Sequence, residues 1–269
     1  MRVIAIHTYP VKGCSALAHD AAAVQPWGLE GDRRWLVVGP EGVAITQREV
    51  PGLGQLRAVP GRDHLALTHS KDSYLVPNEA FTIPLTSKIF GAVVPARSAG
   101  PDADAWVSKV LGVPAQLVWM DDPTTARPVV PDFGIPGDVV SFADVTPLLL
   151  ANTASLRRLN DWIAEGDSPD EGPLPMNRFR PNLVIDGAAP FQEDEWVGRT
   201  IQIGQLAYRV PQACGRCVVT TTDQATGAKG REPLRTLARH RNVEQQLLFG
   251  VHLTPVEPGE VRVGDLLTF

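Results

Sequence analysis

At 269 residues, with 43% hydrophobic and 20% charged residues, the chain has the composition of an ordinary globular protein, long enough for one large or two modest domains. Its net charge of −5, without any Lys/Arg-rich run, argues against a nucleic-acid binder, although a local basic pocket can sit inside an acidic surface. The odd count of three cysteines gives no disulfide framework, the start reads as no signal peptide, and no run approaches the ~18 apolar residues of a membrane span, so the expected setting is the reducing cytoplasm.

The 24 prolines and 24 glycines, with only short helical periodicities, predict many strands and turns. Residues 1–90 read as a small β domain. Strands are expected at Val3 to Tyr9, Trp35 to Val38, Val43 to Gln47, His64 to Thr68 and Phe81 to Leu85. Gly39-Pro40-Glu41-Gly42 is a hairpin signal between two of them. Residues 91–269 read as a second, larger domain. Asp102 to Leu111 predicts a helix with Asp102 or Asp104 as its cap, followed by a strand at Ala115 to Met120. The proline- and glycine-bearing stretch 122–138 predicts a long loop of the kind that borders pockets. Ser155 to Ala164 is the clearest helix, with Leu156, Leu159 and Ile163 on one face and Asn152 or Thr153 as cap. Strands follow at Leu183 to Ile185, Thr200 to Ile203, Leu206 to Val210 and Val218 to Thr222, then a short helix at Glu232 to Arg241. Strands at Leu247 to Pro255 and Val261 to Phe269 end the chain.

Two stretches carry the chemistry. Arg178-Phe179-Arg180-Pro181-Asn182 sets two guanidiniums and an amide ahead of an apolar run. Guanidiniums are permanent planar donors suited to phosphate. Asn182 offers a donor and acceptor pair suited to a heterocycle edge. Cys214-Gly215-Arg216-Cys217 supplies soft sulfur. Zinc needs four ligands, usually with a second close cysteine pair, and none exists here. A thioredoxin-like pair should open a helix, whereas Val218 to Thr222 reads as a strand. The arginines and sulfurs together suit an anionic ligand carrying a soft metal. Isolated charges such as Lys12 and Arg33, and the Arg235/Arg239 helix face, are by themselves ordinary solvated groups.

RFRPN, PF-x-ED-x-W from Pro190 to Trp196, CGRCVVTTTD, EPLRTLARHR and FGVH…EPG…VRVGD together resemble the MOSC domain, the C-terminal part of molybdenum cofactor sulfurases and the body of the amidoxime-reducing proteins. His7-Thr8-Tyr9-Pro10-Val11-Lys12-Gly13 and Gly31-Asp32-Arg33-Arg34-Trp35 resemble the β-barrel domain that precedes it. The resemblance implies an α+β, mostly β protein in which an N-terminal β-barrel domain packs on a larger MOSC β-barrel with a few helices. It implies the molybdenum cofactor in a cleft between them. Cys217 matches the sulfur that binds molybdenum. Lys12 and Arg33 match phosphate contacts, and Arg180, Asn182, Gly215, Arg216 and Thr146 match other cofactor contacts. Gly13 stands where the relatives carry serine, so that contact falls to a backbone N–H. His252 stands where they have tyrosine near the metal, and its near-neutral pKa suits proton delivery. Arg178 lies outside the matched set and is expected to be structural. Cys214 is expected to be only a small buried residue.

By this resemblance the reaction is two-electron reduction of N-hydroxylated compounds or N-oxides. Neither an iron–sulfur ligand pattern nor a Gly-rich dinucleotide fingerprint is present. Electrons must then come from a separate reductase or ferredoxin. The alternative is a cofactor carrier or sulfur-transfer module with a Cys217 persulfide, fed in trans because the chain holds no pyridoxal-phosphate desulfurase part. A zinc-stabilised binding module is the third reading.

Overall fold

The computed structural model describes residues 1–269. Its largest element is a ten-stranded sheet. The order runs Leu17–His19, Arg2–Thr8, Leu183–Asp186, Leu148–Asn152, Gln246–Pro255, Leu206–Arg209, Thr200–Ile203, Leu267–Thr268, with Ala213–Gly215 and Asn242–Val243 added on Gln246–Pro255. Every pairing is antiparallel except that of Leu148–Asn152 with Leu183–Asp186. A helix, Thr153–Ala164, makes the crossover that a parallel pair requires. The sheet curls until Arg2 meets Leu266, just ahead of its last strand, through a single bridge.

Two smaller sheets occupy the span from Trp35 to Trp119. One orders Trp35–Val38, Gln116–Trp119, Ala92–Ser98 and Ile83–Ile89; the other joins Arg57–Pro60, His64–His69 and Asp72–Pro77. The helix Pro101–Leu111 covers them with Ala103, Val107 and Leu111. The first strands of the chain lie in the large sheet, and Ala21–Gln25 pairs with Gly259–Arg262 near the C-terminus. N-terminal residues are therefore woven into the same body as the C-terminal ones. The mostly-β, three-helix composition agrees with the expected class.

Several elements differ from expectation for identifiable reasons. Leu148–Asn152 was not anticipated as a strand; it is buried at every residue, so its apolar run shows no alternation. Val43 to Gln47 makes only isolated bridges at Val43 and Ala44, because Thr46 N–H and Oγ1 turn back to the Glu49 carboxylate. Val261 to Phe269 divides into Gly259–Arg262 and Leu267–Thr268. Val218 to Thr222 is not a strand: Val218–Thr221 is a 3₁₀ turn. Thr220 Oγ1 donates to Cys217 O and Thr221 Oγ1 to Val218 O, so the hydroxyls supply local bonds that compete with a ladder. The helix at Pro101 begins from Gly100 without a side-chain cap, and Asp104 instead accepts the Leu117 N–H.

Asn152 caps the helix Thr153–Ala164, its side-chain oxygen accepting from Ala154 N–H. Its amide nitrogen donates to the buried Glu193, which also accepts from Ser155 Oγ. Asn152→Ala removes the cap and strips a donor from a buried carboxylate. It should cost about 2–4 kcal/mol in urea unfolding; a loss below about 1 kcal/mol, the scale of an exposed cap alone, would contradict this linkage.

Candidate active site

A cleft opens where the large sheet meets the turns around Lys12, Arg33 and Arg48. Lys12, Arg33, Arg48, Arg180 and Arg216 all line it, opposed by the carboxylate of Asp144. A protein of net charge −5 thus concentrates five cations around one hollow. Such a hollow attracts anions strongly, because the walls exclude much of the screening water.

The cations are positioned individually. Trp35 O accepts the Lys12 N–H at 2.8 Å, fixing Lys12 beside the strand Trp35–Val38. The Lys12 ammonium pairs with Asp144. Burial lowers the Lys12 pKa more than Asp144 raises it. The Asp144 carboxyl is exposed, and Lys12, Arg33 and Arg216 hold it well below the carboxylate range. Arg33 has left-handed backbone with φ 48°, and its guanidinium donates to Asp32 Oδ2 at 2.5 Å and to Asn182 Oδ1 at 3.0 Å. Arg180 is likewise left-handed, with φ 55°, and donates to Cys14 O at 2.7 Å and Gln224 Oε1 at 3.0 Å. Both guanidiniums stand 4.3 Å from the centre of the Tyr9 ring. Burial, resisted by these cations, pushes the Tyr9 hydroxyl up to about 12. Gly13 has φ 84°, a backbone that favours glycine, and a Cβ there would press on the end of the Leu53 side chain at 2.6 Å. No backbone acceptor takes the Gly13 N–H.

Asn182 plays a different part from the one its chemistry suggested. It is 1% exposed. Its amide nitrogen donates to His7 O at 3.1 Å and Asp32 Oδ2 at 3.0 Å, and its oxygen accepts from Arg33 and from Leu149 N–H at 3.1 Å. All its hydrogen-bonding capacity is spent within the protein. It borders the cleft but has nothing left for a heterocycle edge; it orients Asp32 and Arg33.

The sulfur side is built by the short strand Ala213–Gly215 and the turn Val218–Thr221. Arg178 pins that turn by donating to Thr221 O at 3.0 Å and pairing with Asp223 at 3.3 Å, a structural role as expected. Cys217, at the mouth of the turn, is partly exposed and lines the cleft. Arg48 lines the same cleft, and Cys217 raises the arginine's pKa. Arg216 donates to Cys214 Sγ at 2.9 Å and to Phe179 O at 2.7 Å, and its buried Nε has no protein partner. Cys214 is therefore more than a space-filler. Burial would raise its thiol, but Arg216 and His252 bring it down to about 7. The His252 ring sits between Cys214 and Thr146, whose Oγ1 lies 2.8 Å from Nδ1, with Phe133 of the 122–138 loop edge-on at 5.8 Å.

Of the expected site residues, Lys12, Gly13, Arg33, Thr146, Arg180, Asn182, Arg216, Cys217 and His252 converge on this cleft. Gly215 does not. It is exposed on its strand, and a Cβ there would meet Gln246 at 2.9 Å, so its role is backbone passage. The sequence reading missed Asp144, Arg48, Gln47 and Phe90, which also line the cleft. They lie in turns without a motif; only their topology brings them here. No group of three or more His, Cys, Asp or Glu side chains stands close enough to hold a metal ion. That disfavours a zinc site made by protein alone. Arg235 and Arg239 sit apart from the cleft, both paired with Asp167.

The residues fit a large anionic cofactor with a soft metal. They supply cations in excess, a free backbone N–H at Gly13, an orphaned Arg216 Nε and one accessible sulfur. Comparison with known proteins points the same way. A family model described as the MOSC domain matches residues 137–268, and one described as the MOSC N-terminal beta barrel domain matches residues 1–114. The chain is 33% identical over 277 residues to mitochondrial amidoxime-reducing component 1 of Mus musculus, covering 96% of this chain and 78% of that protein. The human protein of the same name is 31% identical, with 96% and 79% covered. Molybdenum cofactor sulfurase of Danio rerio is 32% identical over 91% of this chain, which spans only 31% of that protein.

Two outcomes check this geometry. The Cys214 thiol should titrate with a midpoint near 7 in thiolate absorbance, read as the difference between the unaltered protein and Cys214→Ser. Because the folded-state pKa lies below the ordinary thiol value of 9.0, this group adds stability above pH 9.0 and loses it as pH falls through about 7. A midpoint at the ordinary value would refute the Arg216 and His252 contacts. Asn182→Ala should destabilise the cofactor-free protein by about 2–4 kcal/mol, since it orphans buried partners. Unchanged stability with impaired cofactor binding would return Asn182 to direct ligand contact.

Proposed function

The chain belongs to the MOSC domain family, and from that premise we propose that it is a molybdenum-cofactor enzyme reducing N-hydroxylated compounds or N-oxides with electrons from a separate protein. The observation that carries this reading is the gathering of five cations around the Cys217 sulfur in an otherwise acidic molecule. When bound, the cofactor supplies the two-electron chemistry.

The chain's own residues would bind and orient. Lys12, Arg33 and the Gly13 N–H form the phosphate end, with charge-assisted bonds stronger than neutral ones. Arg180 and Arg216 carry the remaining negative charge along the large sheet. Cys217 is the metal ligand, and Arg48 beside it offsets the thiolate's charge. His252, beside Thr146, is the candidate proton donor for the water that leaves when an N–O bond is reduced. Asp144 keeps Lys12 charged and restrained at the wall.

The chain has no helix long and apolar enough to cross a membrane. Its three cysteines are free. The electron donor would be a reductase or ferredoxin docking from outside, since no glycine-rich dinucleotide fingerprint is present. The partial exposure of Cys217 also supports the second reading, a sulfur carrier using a Cys217 persulfide.

The test pairs two variants of protein purified from a host that makes the cofactor. Cys217→Ser should abolish benzamidoxime reduction by a chemical reductant while some pterin is retained through the cationic contacts. Cys214→Ser should keep molybdenum and most activity. An active Cys217→Ser protein sinks the metal-ligand assignment. Full molybdenum in the unaltered protein without reduction of any N-hydroxy compound favours the carrier. Efficient turnover of the purified protein with NADH or NADPH alone would contradict the need for a separate donor.

A further inference from the structure

The strands Ile83–Ile89 and Ala92–Ser98 form a hairpin whose two turn residues are Phe90 and Gly91. Their φ values are 47° and 79°. A two-residue turn with both central residues left-handed strongly prefers Asn-Gly or Asp-Gly, and a bulky side chain at its first position is disfavoured. Phe90 is thus a poor choice for the turn it occupies.

Folding gives no return for it. Phe90 is 51% exposed and belongs to none of the buried clusters. Its neighbours are functional groups instead. The Lys12 ammonium stands 5.0 Å from its ring centre and the Arg48 guanidinium 5.7 Å. Arg48, the Phe90 ring and the Cys217 sulfur all line the same cleft. A strained backbone and an exposed aromatic at the mouth of a charged cleft mark a surface kept for ligand contact.

We propose that Phe90 is a specificity-determining residue, the apolar wall on which a flat substrate ring stacks, and that it makes the protein select aromatic N-hydroxy compounds over small aliphatic ones. This rests on the reductase reading above. A ring of the substrate can pair with Phe90 in an offset or edge-to-face arrangement, centroids about 4.5–7 Å apart, while its N–O group reaches toward Cys217. Lys12 and Arg48, already beside the Phe90 ring, favour a neutral or electron-rich ring over a cationic one.

Phe90→Asn provides the test, because Asn-Gly is a better turn than Phe-Gly and the variant should melt at the same temperature or higher. Benzamidoxime and acetamidoxime are titrated by calorimetry into the cofactor-loaded protein and the variant, and KM is measured for both. The expected result is benzamidoxime binding weakened about tenfold in Phe90→Asn, acetamidoxime unchanged, and benzamidoxime binding restored in Phe90→Trp. Equal effects on the two compounds, no effect on either, or no binding of benzamidoxime to the unaltered protein would overturn the proposal. Selective binding without turnover of either compound would leave Phe90 as the wall and sink the reductase reading instead.

Discussion

The buried carboxylate of Asp32 is the constraint on which the cleft depends. It is 1% exposed and accepts from the Tyr9 N–H at 2.7 Å, from Asn182 and from Arg33. A buried charge must be fully paired or it costs several kcal/mol. Here the three donors come from separate places in the chain: the end of the first strand, the turn before Trp35, and the start of the strand Leu183–Asp186. Satisfying Asp32 therefore fixes how the N-terminal turns sit on the large sheet. The Asp32 bond restrains the Arg33 guanidinium, which stands 4.3 Å from the centre of the Tyr9 ring, as does that of Arg180.

From that fixed corner the rest of the electrostatics follows. Clustered cations repel one another, and the fold offsets this with Asp32, Asp144, backbone carbonyls and the Tyr9 ring. Carbonyls of Cys14 and Phe179 take up guanidinium hydrogens at 2.7 Å each. The compensation is incomplete, and the surplus positive charge is what an anionic ligand would neutralise. The two thiols divide the work. Cys214 is enclosed and engaged by Arg216, while Cys217 is open to the cleft. Their difference comes from the tight passage through Gly215 and the 3₁₀ turn that the threonine hydroxyls close behind Cys217.

Much of this was legible in the sequence. The strand-rich class, the helix capped by Asn152 and nine of the cleft residues could be named, because guanidiniums, a soft thiol and turn glycines carry their chemistry in their type. What was illegible depended on three-dimensional pairing. Asn182 reads as a ligand contact until its four bonds are seen to end on protein atoms. Val218 to Thr222 reads as a strand because β-branched residues favour strands, but hydroxyl-to-carbonyl bonds over three residues decide otherwise. Leu148–Asn152 hides its strand nature by being buried on both faces. Arg48, Asp144 and Phe90 have no local signal at all; a hairpin tip and two turns reach the site only through the fold.

The central claim is that this cationic cleft holds a molybdenum-bearing anion through the Cys217 sulfur. X-ray absorption at the molybdenum edge of the purified, loaded protein tests it most directly. Molybdenum should be equimolar with the chain, with a sulfur scatterer that is lost on Cys217→Ser and kept on Cys214→Ser. A molybdenum spectrum unchanged by Cys217→Ser, or protein that carries zinc and no molybdenum, would contradict it.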